Sequence, residues 1–90
     1  MSINGEQMVE INAFASNCLT FLANDVKELT AFMDFAGYEP QGLRKAVGTK
    51  ELNLALFEYF AKNDALLMAM SANFGTDATR FIYLWQHMSN

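Results

Sequence analysis

One cysteine, one proline, one histidine and one tryptophan in 90 residues leave few routes to chemistry. A lone Cys18 has no internal partner for a disulfide, so the chain does not read as a secreted scaffold stapled by cross-links, and a reducing cytoplasm suits it best. Cys18 and His87 lack the second Cys or His that a metal site needs, and the carboxylates show neither an E-x-x-H nor an EF-hand spacing. Neither G-x-G-x-x-G nor G-x-x-x-x-G-K-[ST] occurs, so no glycine loop is available to cradle a phosphate. No catalytic residue, cofactor or metal is therefore assigned, and the chain is read as non-enzymatic.

Positive charge is scarce as well. Six Lys and Arg against ten Asp and Glu give a net charge of −4, which argues against nonspecific binding to nucleic acid or anionic membranes, since clustered cations drive both. Six acids precede residue 44 against the single Lys27, whereas Arg44, Lys45, Lys50 and Lys62 fall within residues 44–62. Long apolar runs are missing too. The longest uncharged stretches, Ile11 to Asn24 and Ala65 to Thr76, fall short of the roughly 18 apolar residues that span a bilayer. Glu6 and Glu10 stand where a signal peptide would be basic. The expectation is a soluble, cytoplasmic protein with no membrane partner.

What is abundant is apolar side chain: 52% hydrophobic and 13% aromatic residues, enough for one core within a single domain spanning residues 1–90. Phe14, Phe21, Phe57, Phe74, Phe81 and Trp85 either fill that core or leave a surplus exposed as a partner surface.

Periodicity predicts helices throughout. Met8, Ile11, Phe14, Ala15, Cys18, Leu19 and Leu22 recur at three- and four-residue spacing over Glu6 to Leu22, placing Cys18 on the apolar face as a small buried hydrophobe. Asp25 and Glu28 form a candidate capping box for a second helix carrying Val26, Leu29, Phe32, Met33 and Ala36 on one face, with Gly37 at its left-handed end. Pro40 suits the first position of a short third helix that ends at Gly48. Thr49 caps a fourth, with Leu52, Ala55, Leu56, Tyr59 and Phe60 as its stripe. A fifth, Ala65 to Phe74, is apolar almost all round and is expected at the centre of the domain, forming a core hairpin with the fourth. Residues 78–88 fit a sixth helix with Ala78, Phe81, Ile82, Trp85 and Met88 on one face. They also alternate as a strand would, but no second strand is available to pair with it. His87, near the end of that helix, is expected at the surface.

FLAND at 21–25 and FAKND at 60–64 lie 39 residues apart, each dividing two helices. The chain thus reads as an all-α bundle of five or six short helices; two related helical triplets are a further possibility, but Asn-Asp is common capping chemistry and coincidence explains the pair better than duplication.

Residues 32–47 (FMDFAGYEPQGLRKAV) form a helix, a glycine turn and a second helix bearing Arg44 and Lys45. That is also the outline of a helix-turn-helix. Asp34, Glu39 and the overall charge weigh against it, so a nucleic-acid binder using residues 32–47 is the alternative reading.

FLANDVKELTAFM, GYEPQGLRKAV and LFEYFAKNDALLMAM together resemble a family of small alphaproteobacterial proteins of unknown function. The shared features are a capped helix and a turn carrying Gly37, Glu39, Pro40, Leu43 and Arg44, covering most of residues 13–75. The aromatic tail Phe81 to His87 departs from the Ala- and Pro-rich ending seen in that family. The resemblance implies an all-helical bacterial domain and brings no functional residues with it.

The function expected from these features is protein binding through an apolar, aromatic-bearing helix face, to an unidentified partner or a second copy. Tyr38, Arg44 and Lys45 at the first corner and Tyr83 and Trp85 near the C-terminus are the candidate contacts, because Tyr, Trp and Arg most often anchor interfaces. A small-ligand pocket between helices is a third possibility, recognisable as an apolar cavity with a few converging polar groups.

Overall fold

Caps at short intervals divide the chain into α1 (Gly5–Ala23), α2 (Val26–Ala36), α3 (Pro40–Ala46), α4 (Lys50–Ala61), α5 (Asp64–Phe74) and α6 (Ala78–Met88). The structure is a computed structural model that describes residues 3–89, and these contain no strand. Residues 78–88 are helix, so the strand alternative for them falls.

Local chemistry accounts for each boundary. The Asn4 side chain accepts from the Gln7 N–H at 2.8 Å and the Gln7 side chain accepts from the Asn4 N–H at 3.1 Å, a reciprocal box that starts α1. Asp25 accepts from the N–H groups of Lys27 and Glu28. The expected return bond from Glu28 is not made, because its carboxylate accepts from the Tyr59 hydroxyl at 2.8 Å instead. Glu28 therefore ties α2 to α4 rather than closing its own cap. Pro40 occupies the first turn of α3, and Thr49 and Asn63 cap α4 and α5 through bonds from Leu52 and Leu66 N–H. Gly37 and Gly75 end α2 and α5 in the left-handed region at φ 79° and 66°, where a Cβ would cost roughly 1–2 kcal/mol.

The core gathers Ile11, Phe14, Ala15, Cys18 and Leu22 of α1, Phe32 of α2, Leu52, Leu56, Phe57 and Phe60 of α4, Leu66, Leu67 and Met70 of α5, and Phe81 and Leu84 of α6. Its centre is α4, which packs on all five other helices. This corrects the expectation that α5 would be central, although α4 and α5 do pack against each other and both enter the core. Ala65, Met68, Ala69, Ala72 and Asn73 of α5 face solvent. The helix is apolar all round mainly through small alanines, whose exposure forfeits little, so composition overstated its burial. Among the aromatics, Phe14, Phe57 and Phe81 are buried and Phe21, Phe74 and Trp85 half-buried, so most of the surplus fills the core.

The two halves correspond closely, at a spacing of 38 rather than 39. Helices α2 and α5 begin at 26 and 64 and end at 36 and 74, while α3 and α6 begin at 40 and 78. The bonds Asp25 N–H to Leu22 O, Leu29 N–H to Asp25 O, Gly37 N–H to Met33 O and Leu43 N–H to Glu39 O recur as Asn63 to Phe60, Leu67 to Asn63, Gly75 to Ser71 and Phe81 to Asp77. The one-residue shift arises because Asp25 caps α2, whereas Asn63, the first of its pair, caps α5. Buried Phe14, Cys18, Leu22 and Phe32 fall opposite buried Leu52, Leu56, Phe60 and Met70. Packing partners exchange as an approximate two-fold requires: α1 touches α2, α5 and α6, and α4 touches α5, α2 and α3. The match breaks at the third helix. Phe81 and Leu84 of α6 are buried on α4, but α3 buries no residue fully and makes no comparable contact with α1.

Candidate functional site

The α2–α3 corner is set by Gly37, whose left-handed φ turns the chain so that both the Gly37 and Tyr38 N–H groups bond to Met33 O, at 2.8 and 2.9 Å. Tyr38 leaves the turn half-buried, with its ring edge 3.8 Å from where a Cβ on Gly42 would sit. The ring thus lies against α3 and the core, stapling the corner more than projecting from it. Arg44 and Lys45 are exposed in the last turn of α3, where positive charge also suits the helix dipole. Neither makes an ion pair among the described residues.

Two exposed apolar residues of the α2–α3 segment, one in the last turn of α2 and one just after α3, escaped sequence reasoning. Phe35 is 49% exposed and Val47 57% exposed. Phe35 lies off the stripe of Leu29, Phe32, Met33 and Ala36, and its ring rests against Tyr59 at 5.2 Å, tilted 55°. An aromatic one position away from an amphipathic stripe was the available signal. Val47 follows α3 as its C-cap, where no periodicity remains to read.

The C-terminal candidates are less free than expected. Tyr83 is 41% exposed, yet the Arg80 guanidinium sits 4.9 Å from its ring centroid and the His87 ring lies 4.2 Å away. His87 is half-buried rather than at the surface, and its Nδ1 lies 2.9 Å from the Tyr83 carbonyl. A carbonyl only accepts, so Nδ1 carries the proton. Trp85 is half-buried against the core, with its indole N–H enclosed and no acceptor among the described residues. No hydrogen bond or aromatic contact joins Tyr83 and Trp85 to Tyr38, Arg44 and Lys45, and the five candidates divide between the α2–α3 segment and α6.

Electrostatics add one well-formed pair. Arg80 Nε and Nη2 each donate to a Glu10 carboxylate oxygen at 2.7 Å, joining α6 to α1. These bonds and the guanidinium charge hold the Glu10 carboxyl below its ordinary range. Burial pushes the Cys18 thiol far above its ordinary range, leaving it neutral and unreactive. Among the described residues, no group of three or more His, Cys, Asp and Glu is placed to hold a metal ion. No helix there is long and apolar enough to cross a membrane.

Fold and surface together define a small all-helical bundle built on two similar three-helix units. Residues 10–90 match the family described as Protein of unknown function (DUF3572), and the chain belongs to that family. The match includes the aromatic tail Phe81 to His87, which the sequence resemblance had set apart. No curated protein and no solved structure is significantly similar to the chain.

Proposed function

We propose that the domain is a non-enzymatic interaction module that docks a protein partner through the α2–α3 corner. The observation that carries this reading is the pairing, in one short segment, of exposed apolar Phe35 and Val47 with two exposed, unpaired cations, Arg44 and Lys45. An interface core wants an aromatic anchor, and flanking cations select a partner with acidic residues. Phe35 is already backed by Tyr59, and Tyr59 is held by Glu28 at 2.8 Å, so the anchor is pre-positioned and little ordering is needed on binding. Tyr38 shapes this surface from beneath. Tyr83 and Trp85 act as a secondary contact on α6. We take the setting to be a bacterial cytoplasm, which suits a single buried thiol.

A second copy of the chain is the rival occupant, since residues 1–43 are acidic enough to complement Arg44 and Lys45. The nucleic-acid alternative finds two cations at the corner and acidic Asp34 and Glu39 beside them, few for counterion release to supply much affinity. Three measurements on wild type, on Phe35→Ser and on Arg44→Glu/Lys45→Glu separate these readings: sedimentation at low and high salt, capture of lysate proteins, and binding to a DNA duplex. Retention of a defined protein that both variants lose and Lys62→Glu keeps supports docking at the corner. A dimer disrupted by the same variants assigns the corner to self-association. Binding to the duplex that collapses with salt and with the charge reversal, without a protein ligand, overturns it in favour of nucleic acid.

A further inference from the structure

The N-terminal ends of α1 and α4 and the C-terminal end of α6 border a half-open cavity of about 460 Å³, within the range of sites that hold small organic ligands. Its lining is divided sharply. Ile3, Met8, Ile11, Leu54 and Met88 supply an apolar wall, and among the described residues Lys50 and Asn53 are the lining residues with polar side chains. Among the described residues, no acidic side chain lines it. The space beside Glu10 and Arg80 contrasts with this, being lined by Glu10 and Asp77 and a guanidinium already bonded to Glu10.

Each lining group narrows the occupant. Two methionines, unbranched and adaptable, suit a flexible straight chain better than a rigid ring system. Lys50 makes no ion pair among the described residues, and it opens α4, where the helix dipole is positive. Thr49 accepts from the Leu52 N–H, leaving the N–H groups of Lys50 and Glu51 without a side-chain cap. Asn53 is only 4% exposed. Its Nδ2 donates one proton to Asn12 Oδ1 at 2.8 Å, which fixes the amide, and the second Nδ2 proton has no partner among the described residues. Glu51, exposed on the next position of α4, moderates this positive end without lining the cavity.

We propose that this cavity binds a straight-chain aliphatic carboxylate, with its chain among Ile3, Met8, Ile11, Leu54 and Met88 and its carboxylate at Lys50 and the Asn53 amide. The site lies apart from the α2–α3 corner, and the proposal does not depend on docking there.

The test is methyl-resolved NMR of the full chain with decanoate, 1-decanol and butyrate, each below the concentration at which it aggregates. Saturable shifts confined to the Met8, Ile11, Leu54 and Met88 methyls are expected with decanoate, and binding at least tenfold weaker with butyrate. Lys50→Gln is expected to weaken decanoate about fivefold, the loss of roughly one exposed charge pair, and to leave 1-decanol unchanged. Leu54→Trp, which fills the cavity, abolishes both. If Leu54→Trp fails to fold, Met88→Trp fills the space from α6 and serves the same purpose. No saturable shift, shifts spread over the exposed surface, or decanoate affinity indifferent to Lys50→Gln would overturn the proposal.

Discussion

Phe81 of α6 lies flat on Phe57 of α4, with ring centroids 4.2 Å apart and planes 5° from parallel, while Phe14 of α1 meets Phe81 edge-on at 5.4 Å. Three helices distant in sequence thus share one aromatic cluster, and all three rings are buried. At the corresponding place in the first half, 38 residues earlier, Leu43 stands for Phe81 and is only half-buried. The similar halves therefore differ most in what their third helix contributes to stability.

That difference is measurable. Phe81→Ala should destabilise the domain by about 3–5 kcal/mol, as for a buried aromatic whose cavity cannot collapse. Leu43→Ala should cost about 1 kcal/mol, since only part of its surface is removed from water. Thermal unfolding of the two variants checks both. Near-equal losses would show that α3 is as embedded as α6.

Much of this fold was legible because punctuation and periodicity agreed. Asp25, Gly37, Pro40, Thr49 and Gly75 all stand at helix ends in the structure, and local capping chemistry is enough to place them. Packing order was not legible. Helix α5 is apolar by composition, but its alanines face outward, and only tertiary contacts decide that the more amphipathic α4 takes the centre. The repeat was visible yet misregistered, because Asn-Asp caps with its second residue in one half and its first in the other. At the candidate site, Arg44 and Lys45 were legible as charged corner residues, whereas Phe35 was concealed by sitting one position from a stripe. Tyr83 and Trp85 were named by residue type alone, which carries no information about the Arg80 and His87 groups that flank Tyr83.

Tyr59 makes the domain sensitive to alkali. Burial first, and then its hydrogen bond to Glu28, push its phenol up to about 12. The folded state thus holds this proton more tightly than the unfolded chain, whose tyrosine titrates near the ordinary 10.0. The resulting stabilisation is complete below about pH 10 and is lost as pH rises through about 12. Unfolding free energies measured at rising pH should fall less steeply in Tyr59→Phe than in wild type. Identical slopes would show that Tyr59 ionises freely in the folded protein.

Asn53 is the buried polar residue whose bond matters most, because at 4% exposure its amide has Asn12 Oδ1 as its partner. Asn12→Ala should cost about 1–3 kcal/mol by leaving that amide unpaired, more than a new hydrogen bond contributes on average. Adding Asn53→Leu to Asn12→Ala should recover part of the loss, since both polar partners are then gone. Chemical denaturation of the two single variants and the double variant gives the coupling directly. Additive losses would mean that the two amides act independently.

Glu10 and Arg80 set the acid side of the stability profile. The bidentate bond holds the Glu10 carboxyl below 4.5 in the folded state, so its contribution is fully present above the unfolded value and fades as pH falls through the folded one. Both side chains are substantially exposed, at 35% and 41%, so solvent and salt screen the pair and its effect on stability is small. Its effect on Glu10 itself is not. Carboxyl NMR titration should show the Glu10 midpoint rising toward 4.5 in Arg80→Ala. It should rise less in Arg80→Lys, which keeps the charge and loses the two-bond geometry. Since Arg80 also covers Tyr83, Arg80→Ala should expose that ring and change its NMR shifts, while Arg80→Lys should preserve part of the cover. A Glu10 midpoint unmoved by either substitution would show that the pair does not persist in solution.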